Sequence, residues 1–373
     1  LAQSNPWRDR SAQRYKAFYD EFVEAGAGGQ ADMLAMRMMC MTDLGFLARE
    51  IFKMDEIRDR KSGRKRWYPG IHERFCDHLQ RDEDGLYHLS RGMMKTGITQ
   101  IWVIQKVLQD PARIRIGIWS QTAELIQRSL AGIKSGFQNP MLMELFPEIT
   151  PPRKEWKVDN ADSLTMTRDI EGVEKPLIDL KENQIEVFGV LKTAVGRHYD
   201  YHLYDDIISD RNVATGEQIE KVRSWWAATQ AIKEPSAIEK IIGTPWHHMD
   251  IYATIQQENY FTKDQIFVQA GSTEDCEPIY PFFTKKWLQQ QKNRMGPQLF
   301  AAQYALETRP REDRMFIRPY PQYKPEHFPR STTYPLTRGR LRDSRYTDTS
   351  LVVTLRLSER GVNGYVVDRK SVV

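Results

Sequence analysis

The stretch LSRGMMKTGITQIWVIQ, residues 89–105, sets an Arg-Gly turn and a Lys-Thr pair at the mouth of an apolar helical pattern. A loop that grips nucleotide phosphates needs backbone N–H groups aimed at the anion and a helix N-terminus behind them. It also needs a Lys that reaches the β- and γ-oxygens and a Ser or Thr for Mg2+. The common pattern is G-x-x-x-x-G-K-[ST]. Set against it, residues 89–96 put Leu89 and Met94 in the glycine places and leave Gly92 to make the tight turn. Taken alone, Gly-x-x-Lys-Thr before a helix is mostly chance. With the loop reading, Ser90, Arg91, Gly92, Met93, Met94, Lys95 and Thr96 are the nucleotide-binding residues, and Thr96 is a metal ligand.

Two later stretches give that reading its context. About 110 residues on comes DYHLYDD, an apolar strand ending in two acids. Such a strand supplies one carboxylate to the Mg2+ shell, here Asp205, and a second that orients and activates the attacking water, here Asp206. IIGTPWHH (241–248) is a strand running into a Gly-Thr-Pro break, which would set Thr244 near the γ-phosphate. Each piece sits at the carboxyl end of a predicted strand, where open α/β sheets bind their ligands. Charge builds on a transferred phosphoryl group, so arginines matter. Arg91 lies in the loop, and Arg197 precedes the acid-bearing strand. Either could act within one subunit or across to a neighbour.

The rest of the chain reads as alternating strands and helices. Residues 5–60 are helical, with Tyr15, Phe18, Tyr19 and Phe22 on one face. RDRKSGRKRW carries six Lys or Arg in ten positions and reads as a solvated loop or a nucleic-acid contact. IHERFCDHL is a short helix whose His72, Cys76 and His78 lack a fourth ligand at zinc spacing. GLYHLS and RIRIGIWS are strands, each followed by a helix, the signature of parallel α/β architecture. Residues 139–180 read as loop with short strands, QIEVFGV and YDYHLYDDII as strands, and 284–308 as helix. RPYPQYKPEHFP has four prolines in twelve residues and reads as a linker. TSLVVTLRLSERGVNGYVVD then reads as a β-hairpin with its turn near residues 361–364.

Composition sets outer limits. Hydrophobic residues are 40% and charged residues 28%, a globular balance rather than a disordered one. A net charge of +4 permits contact with nucleic acid without arguing for it. Cys40, Cys76 and Cys276 are odd in number and widely spaced, which favours a reducing compartment over a disulfide framework. No apolar run approaches ~20 residues, so no membrane span is expected. No signal peptide is visible, and the chain opens on Leu1 rather than Met.

The ordered set LSRGMMKT, RIGIWSQT, FGVLKTAVGRHYDYHLYDDII and IIGTPWHHMDIYATI resembles the ATPase domain of the large terminase subunit of tailed bacteriophages. The likeness covers roughly residues 40–310, and the family's loop often drops the glycine pattern and carries an early Arg. The resemblance implies an α/β P-loop NTPase of the ASCE type with a mostly parallel sheet. Around it stand a helical N-terminal region (1–66), the ATPase domain (67–310), a linker (311–330) and the start of an RNase H-like nuclease (331–373). It implies ATP and Mg2+ as cofactors, with two divalent metals for a complete nuclease. Lys95 and Thr96 would bind phosphate and Mg2+, Asp205 the metal shell, and Asp206 would be the catalytic carboxylate. Arg91 would be the loop arginine, Thr244 part of the coupling motif, and Arg197 a finger between subunits. Double-stranded viral DNA, a portal protein, a small terminase subunit and a pentameric ring are the implied partners. The setting is the host cytoplasm, docked transiently at the portal vertex of the procapsid. No acid ends the strand where the nuclease's first Asp belongs, and Asp343 and Asp348 are poor substitutes, so no nuclease residue is assigned. A helicase-like translocase and an ATP-binding scaffold with decayed hydrolysis stay open, the latter because a side chain at Met94 could crowd the phosphates.

Overall fold

A computed structural model describes residues 5–171, 173, 180–192 and 196–308, and the backbone of residues 338–341, 351–358 and 361–364. In chain order the elements are α1 (Pro6–Glu24), α2 (Ala31–Thr42), α3 (Leu44–Phe46) running into a π-turn (Leu47–Ile51), α4 (Pro69–Leu79), β1 (Gly85–Leu89), α5 (Lys95–Gln109), β2 (Ile116–Ser120), α6 (Ala123–Phe137), α7 (Pro140–Leu145), β3 (Val158–Asp159), β4 (Ser163–Thr165), β5 (Ile185–Gly189), β6 (Tyr201–Asp205), α8 (Gly216–Gln230), β7 (Ile238–Gly243), α9 (Ile251–Gln257), β8 (Ile266–Gln269) and α10 (Lys285–Phe300) with a second π-turn (Ala301–Ala305). Local chemistry sets many of these boundaries. Asn5, Thr122, Thr215 and Thr284 cap α1, α6, α8 and α10 by accepting from N–H groups of the first turn. Helix α5 stops at Asp110, before Pro111, whose ring disfavours helical backbone in the residue ahead of it.

The sheet has eight strands in the order β3-β4-β5-β2-β6-β7-β1-β8. From β5 to β8 every pairing is parallel; β3 and β4 add an antiparallel edge. Strands β1 and β2 are buried at every position, as continuous apolar strands covered on both faces must be. Strand β7 lies between β1, which feeds the Lys-Thr loop, and β6, which ends in the acids. Register brings the three carboxyl ends level: His88 opposite Gly243, and Asp205 opposite Ile242. This is a mostly parallel α/β sheet flanked by helices, as expected. Strand β8 was not read from the sequence; four residues are too few for a periodic signal.

The chain divides at Pro310/Arg311 into two compact units. Within the first, Met39, Leu44, Leu47 and Ile51 share one core with Ile98, Trp102 and Leu108 of α5 and with the sheet. The aromatic stripe of α1 is only half used: Tyr15 and Phe18 pack against this core and Tyr19 is exposed. In the second unit β9 (Arg338–Leu341), β10 (Leu351–Ser358) and β11 (Gly361–Gly364) form an antiparallel sheet in the order β11-β10-β9. The residues expected at the hairpin turn are themselves a strand, with Ser358 opposite Gly361. The expected linker at 311–330 and Asp343 and Asp348 lie outside the described residues. His72 and Cys76 are packed in the interior, and no cluster of three or more His, Cys, Asp or Glu suited to a metal occurs among the described residues. Nor is any described helix long and apolar enough to cross a membrane.

A buried ion pair ties the N-terminal helices together. Arg49 Nη1 donates to Glu73 Oε1 (2.8 Å), and Arg49 Nη2 to Ser11 Oγ (3.1 Å), which in turn donates to Asp43 (2.8 Å). Burial pushes the Glu73 carboxyl up to about 7; Arg49 opposes this, while Asp43 and Asp77 add to it. Breaking one half of such a pair costs about 3–5 kcal/mol, whereas replacing both halves by apolar groups is often neutral. Arg49→Met is therefore expected to lower the urea midpoint sharply, and Arg49→Met/Glu73→Leu to recover most of the loss. Equal midpoints for the two variants would show that the pair holds nothing together.

Candidate functional site

The loop between β1 and α5 leaves the sheet at Leu89 and turns through two left-handed residues, Gly92 (φ 84°) and Met94 (φ 59°, ψ 14°). Left-handed backbone is open to glycine and costs a residue with a Cβ on the order of 1–2 kcal/mol. Met94 thus takes the conformation a glycine usually takes at this place in the loop, and its side chain packs against the main core. Helix α5 begins at the next residue, and no side chain caps its first N–H groups. Those groups and the helix dipole make the start of α5 an anion-binding end.

The Lys95 ammonium donates to Asp206 Oδ1 (2.5 Å) and to Thr244 Oγ1 (2.7 Å). Thr244 donates in turn to the Leu89 carbonyl (2.9 Å), which fastens the end of β7 to the end of β1. Asp206 is itself left-handed (φ 48°), so the chain bends sharply where the acid leaves β6. Beside it Asp205 is buried, and its Oδ1 has no hydrogen-bond partner among the described residues. Burial and the neighbouring Asp206 push the Asp205 carboxyl up to about 7 against the pull of Lys95. An orphaned buried acceptor costs about 1–3 kcal/mol, a cost that a bound cation would offset. Thr96 sits half-buried on the first turn of α5, next to Lys95. A hydroxyl and one carboxylate form the all-oxygen partial shell that suits Mg2+, which keeps several waters and takes few protein ligands. The donor set therefore fits the ion.

The other expected residues are placed differently. Ser90 is a brace: its hydroxyl, fully buried, donates to the Tyr304 carbonyl (2.7 Å) and accepts from Gly271 N (2.6 Å), so it is not free to face a ligand. Met93 is buried in a separate aromatic cluster with Phe283 and Tyr304, which leaves only its backbone to the loop. Arg91 is exposed, with its guanidinium 5.5 Å from the Trp246 ring. Arg197 is not at this site within the chain. It pairs with Glu186 of β5, as Tyr199 does, at the level of His202, three residues before Asp205 and roughly 10 Å back along the sheet.

Sequence reasoning missed the clamp behind the loop. The Arg91 N–H donates to the Gln303 carbonyl (3.1 Å), and Gln303 Nε2 donates to the Pro245 carbonyl (3.2 Å), so one residue of the second π-turn spans both loops. Tyr252 of α9 was missed too. Its ring and hydroxyl fill the space where a Cβ on Gly243 would stand, so the glycine of Gly-Thr-Pro is a packing requirement. Gly243 carried a strand-end signal; Gln303 carried none.

No family model matches the chain, and no curated protein matches it. Among solved structures it is similar to the large terminase of bacteriophage HK97, at 13% identity and a TM-score of 0.42, over 85% of this chain and 67% of that one. It is also similar to the large terminase of a thermophilic bacteriophage, at 12% identity and a TM-score of 0.32, over 72% of this chain and 51% of that one. A structure of the same thermophilic phage protein in complex with ADP gives 11% identity and a TM-score of 0.32. Identities and TM-scores this low carry no function, which has to come from the loop and the sheet edge themselves.

The raised Asp205 carboxyl gives a pH test. Its folded value, about 7, lies above its ordinary 3.8, so between those values the folded chain holds a proton that the unfolded chain has lost. Stability contributed by this group therefore falls as pH rises through that window. Asp205→Asn is expected to remove the fall, read as the thermal midpoint against pH in Mg2+-free buffer. Mg2+ should raise the wild-type midpoint more above about pH 7 than below it, because the ligand must be deprotonated. Identical pH profiles for wild type and Asp205→Asn would reject the assignment.

Proposed function

We propose that the chain is the ATPase part of a viral DNA-packaging motor, a terminase large subunit that hydrolyses ATP to move double-stranded DNA into a procapsid. The observation that carries the nucleotide half is the meeting of Lys95, Asp206 and Thr244 at the uncapped start of α5, beside the orphaned Asp205. Triphosphate would lie across the turn at Gly92 and Met94, with the Lys95 ammonium drawn to its β- and γ-oxygens. Once bound there, Lys95 no longer neutralises Asp206, which becomes the carboxylate that orients and takes a proton from the attacking water. Mg2+, held by Thr96 and Asp205, would neutralise phosphate charge. Thr244, bonded to Lys95 and to the end of β1, registers whether Lys95 has moved. Arg91, exposed and held at its side chain only by the Trp246 ring, has the freedom to swing toward developing charge.

DNA and packaging rest on the ordered motif resemblance. By the same resemblance the partners are a portal protein, a small terminase subunit and neighbouring copies in a pentameric ring, with the host cytoplasm and the procapsid vertex as the setting. By the same resemblance Arg197, held on Glu186 away from its own loop, would be a finger reaching a neighbour's site. The antiparallel β9–β11 sheet supports the start of a nuclease domain, which when complete would use two further divalent metals. A decayed site is disfavoured because Met94 adopts the left-handed turn with its side chain packed on the core rather than over the phosphates.

Lys95→Ala and Asp206→Asn are each expected to lower DNA-stimulated ATP turnover by at least about 100-fold while keeping the folded circular-dichroism spectrum of wild type. Near-wild-type turnover in Asp206→Asn would remove the catalytic assignment. Mixing Arg197→Ala subunits with Asp206→Asn subunits should restore part of the turnover, since an Asp206→Asn subunit then supplies Arg197 to the intact Asp206 site of an Arg197→Ala neighbour. Absence of rescue at every mixing ratio would exclude a finger across the interface.

A further inference from the structure

The basic run after the N-terminal helices is not a slack loop. Arg58 pairs antiparallel with Lys65, and Asp59 N donates to the Arg64 carbonyl (2.9 Å) and Arg66 N to the Ile57 carbonyl (3.0 Å). The tip turns through Gly63 at φ 66°. Residues 57–67 form a tight hairpin carrying six Lys or Arg against one acid, a net +5 that exceeds the +4 of the whole chain. The acid is spent on the tip itself. Asp59 accepts from Lys61 N (3.2 Å) and from Ser62 N and Oγ (2.7 Å each), bonds that hold its carboxyl below its usual range. Arg58, Arg60, Lys61 and Lys65 are exposed, and none forms an ion pair with a described residue. Like charges directly opposite on paired strands destabilise a hairpin, and Arg58 faces Lys65 in that way. The hairpin therefore keeps an array that works against its own stability unless an anion lies on it.

The two remaining cations are structural, and one of them reaches the nucleotide loop. Arg64 Nη2 donates to the Pro281 carbonyl (2.9 Å), and Arg66 Nη2 to the carbonyl of Gly92 (3.2 Å), the turn residue of that loop. The Arg66 guanidinium also lies 5.2 Å from the Phe282 ring, and Tyr280 donates its hydroxyl to the Arg66 carbonyl.

We propose that this hairpin is a contact for the phosphate backbone of duplex DNA, joined to the nucleotide site through Arg66 and Gly92. The inference rests on the DNA-translocating reading and names where on the ATPase unit the DNA is held. Four flexible cations with Ile57 as the single exposed large apolar neighbour suit a regular lattice of phosphates rather than a membrane, which also asks for apolar anchors. Such contacts position without reading sequence, as a motor that moves any DNA requires.

The test is the fourfold variant Arg58→Gln/Arg60→Gln/Lys61→Gln/Lys65→Gln in the full chain, with a random-sequence duplex of about 30 bp followed by fluorescence anisotropy across ~50–200 mM salt. Each phosphate contact contributes about −0.9 to the slope of log K against log salt, so the slope should become shallower by about 3 to 4 and binding at ~100 mM salt should weaken at least tenfold. ATP turnover without DNA should be unchanged. If the fourfold variant loses its thermal midpoint, Lys61→Glu at the exposed tip carries the test in the same direction. Unchanged affinity and slope would overturn the proposal, as would loss of binding to phosphatidylserine vesicles with DNA binding intact. A wild type that binds the duplex, weakened by the variant, yet turns over no ATP supports the hairpin and sinks the ATPase reading. A wild type with DNA-stimulated turnover and an indistinguishable variant sinks the hairpin alone.

Discussion

One ammonium group holds the candidate site together. Lys95 Nζ reaches Asp206 at the end of β6 and Thr244 just past β7, and Thr244 reaches back to Leu89 at the end of β1. Three strand ends are thus laced through a single cation. A lysine 9% exposed needs a charged partner, and here it has one. The same cation lies beside the Asp205–Asp206 pair, whose adjacent carboxylates would otherwise repel. Any triphosphate that draws Lys95 away changes the bonding of all three strand ends at once. In the proposed motor, that change is what would link phosphate chemistry to movement.

The loop that presents Lys95 is held from behind rather than from within. Ser90 is bonded to Gly271 and Tyr304, and Arg91 to Gln303, so the segment after α10 fixes where the turn begins. With that brace in place, Met94 can occupy a left-handed conformation that its side chain disfavours. Asp206 does the same across the site, near the Tyr252 ring that fills the gap left by Gly243. Backbone strain of this kind persists where surrounding packing over-determines it, and it gathers at functional sites. The braces come from residues far along the chain, 181 positions on for Gly271 and 214 for Tyr304, which explains why the sparse glycine pattern of the loop still yields a tight turn.

Much of the architecture was legible. Apolar strands followed by amphipathic helices pointed to the parallel α/β class, and Lys95, Asp205, Asp206 and Thr244 were singled out by residue type and by position at strand ends. The structure adds what no local pattern carries. Strand β8 is too short to show periodicity, and Gln303 lies in an ordinary helical stretch with nothing to mark it as a bridge. Ser90 and Met93 sat inside the expected loop and are brace and core instead. Arg197 was legible as an arginine before the acid strand, but its salt link to Glu186 depends on β5 lying beside β2, which only sheet order decides. The basic hairpin was visible as a charge run; its pairing, and the bond from Arg66 to Gly92, were not.

The sequence by itself determined which chemical groups are present, in what order, and on which kind of element each stands. Short-range physics suffices for that, since capping, the break at proline and hydrophobic period all act within a few residues. Only the tertiary structure decided which groups meet. Strand order places β7 between the lysine strand and the acid strand, and parallel register brings their ends level to within one residue. Those pairings join segments far apart in the chain, Gly85 to Lys240 among them, and burial of the whole sheet selects them rather than any local preference.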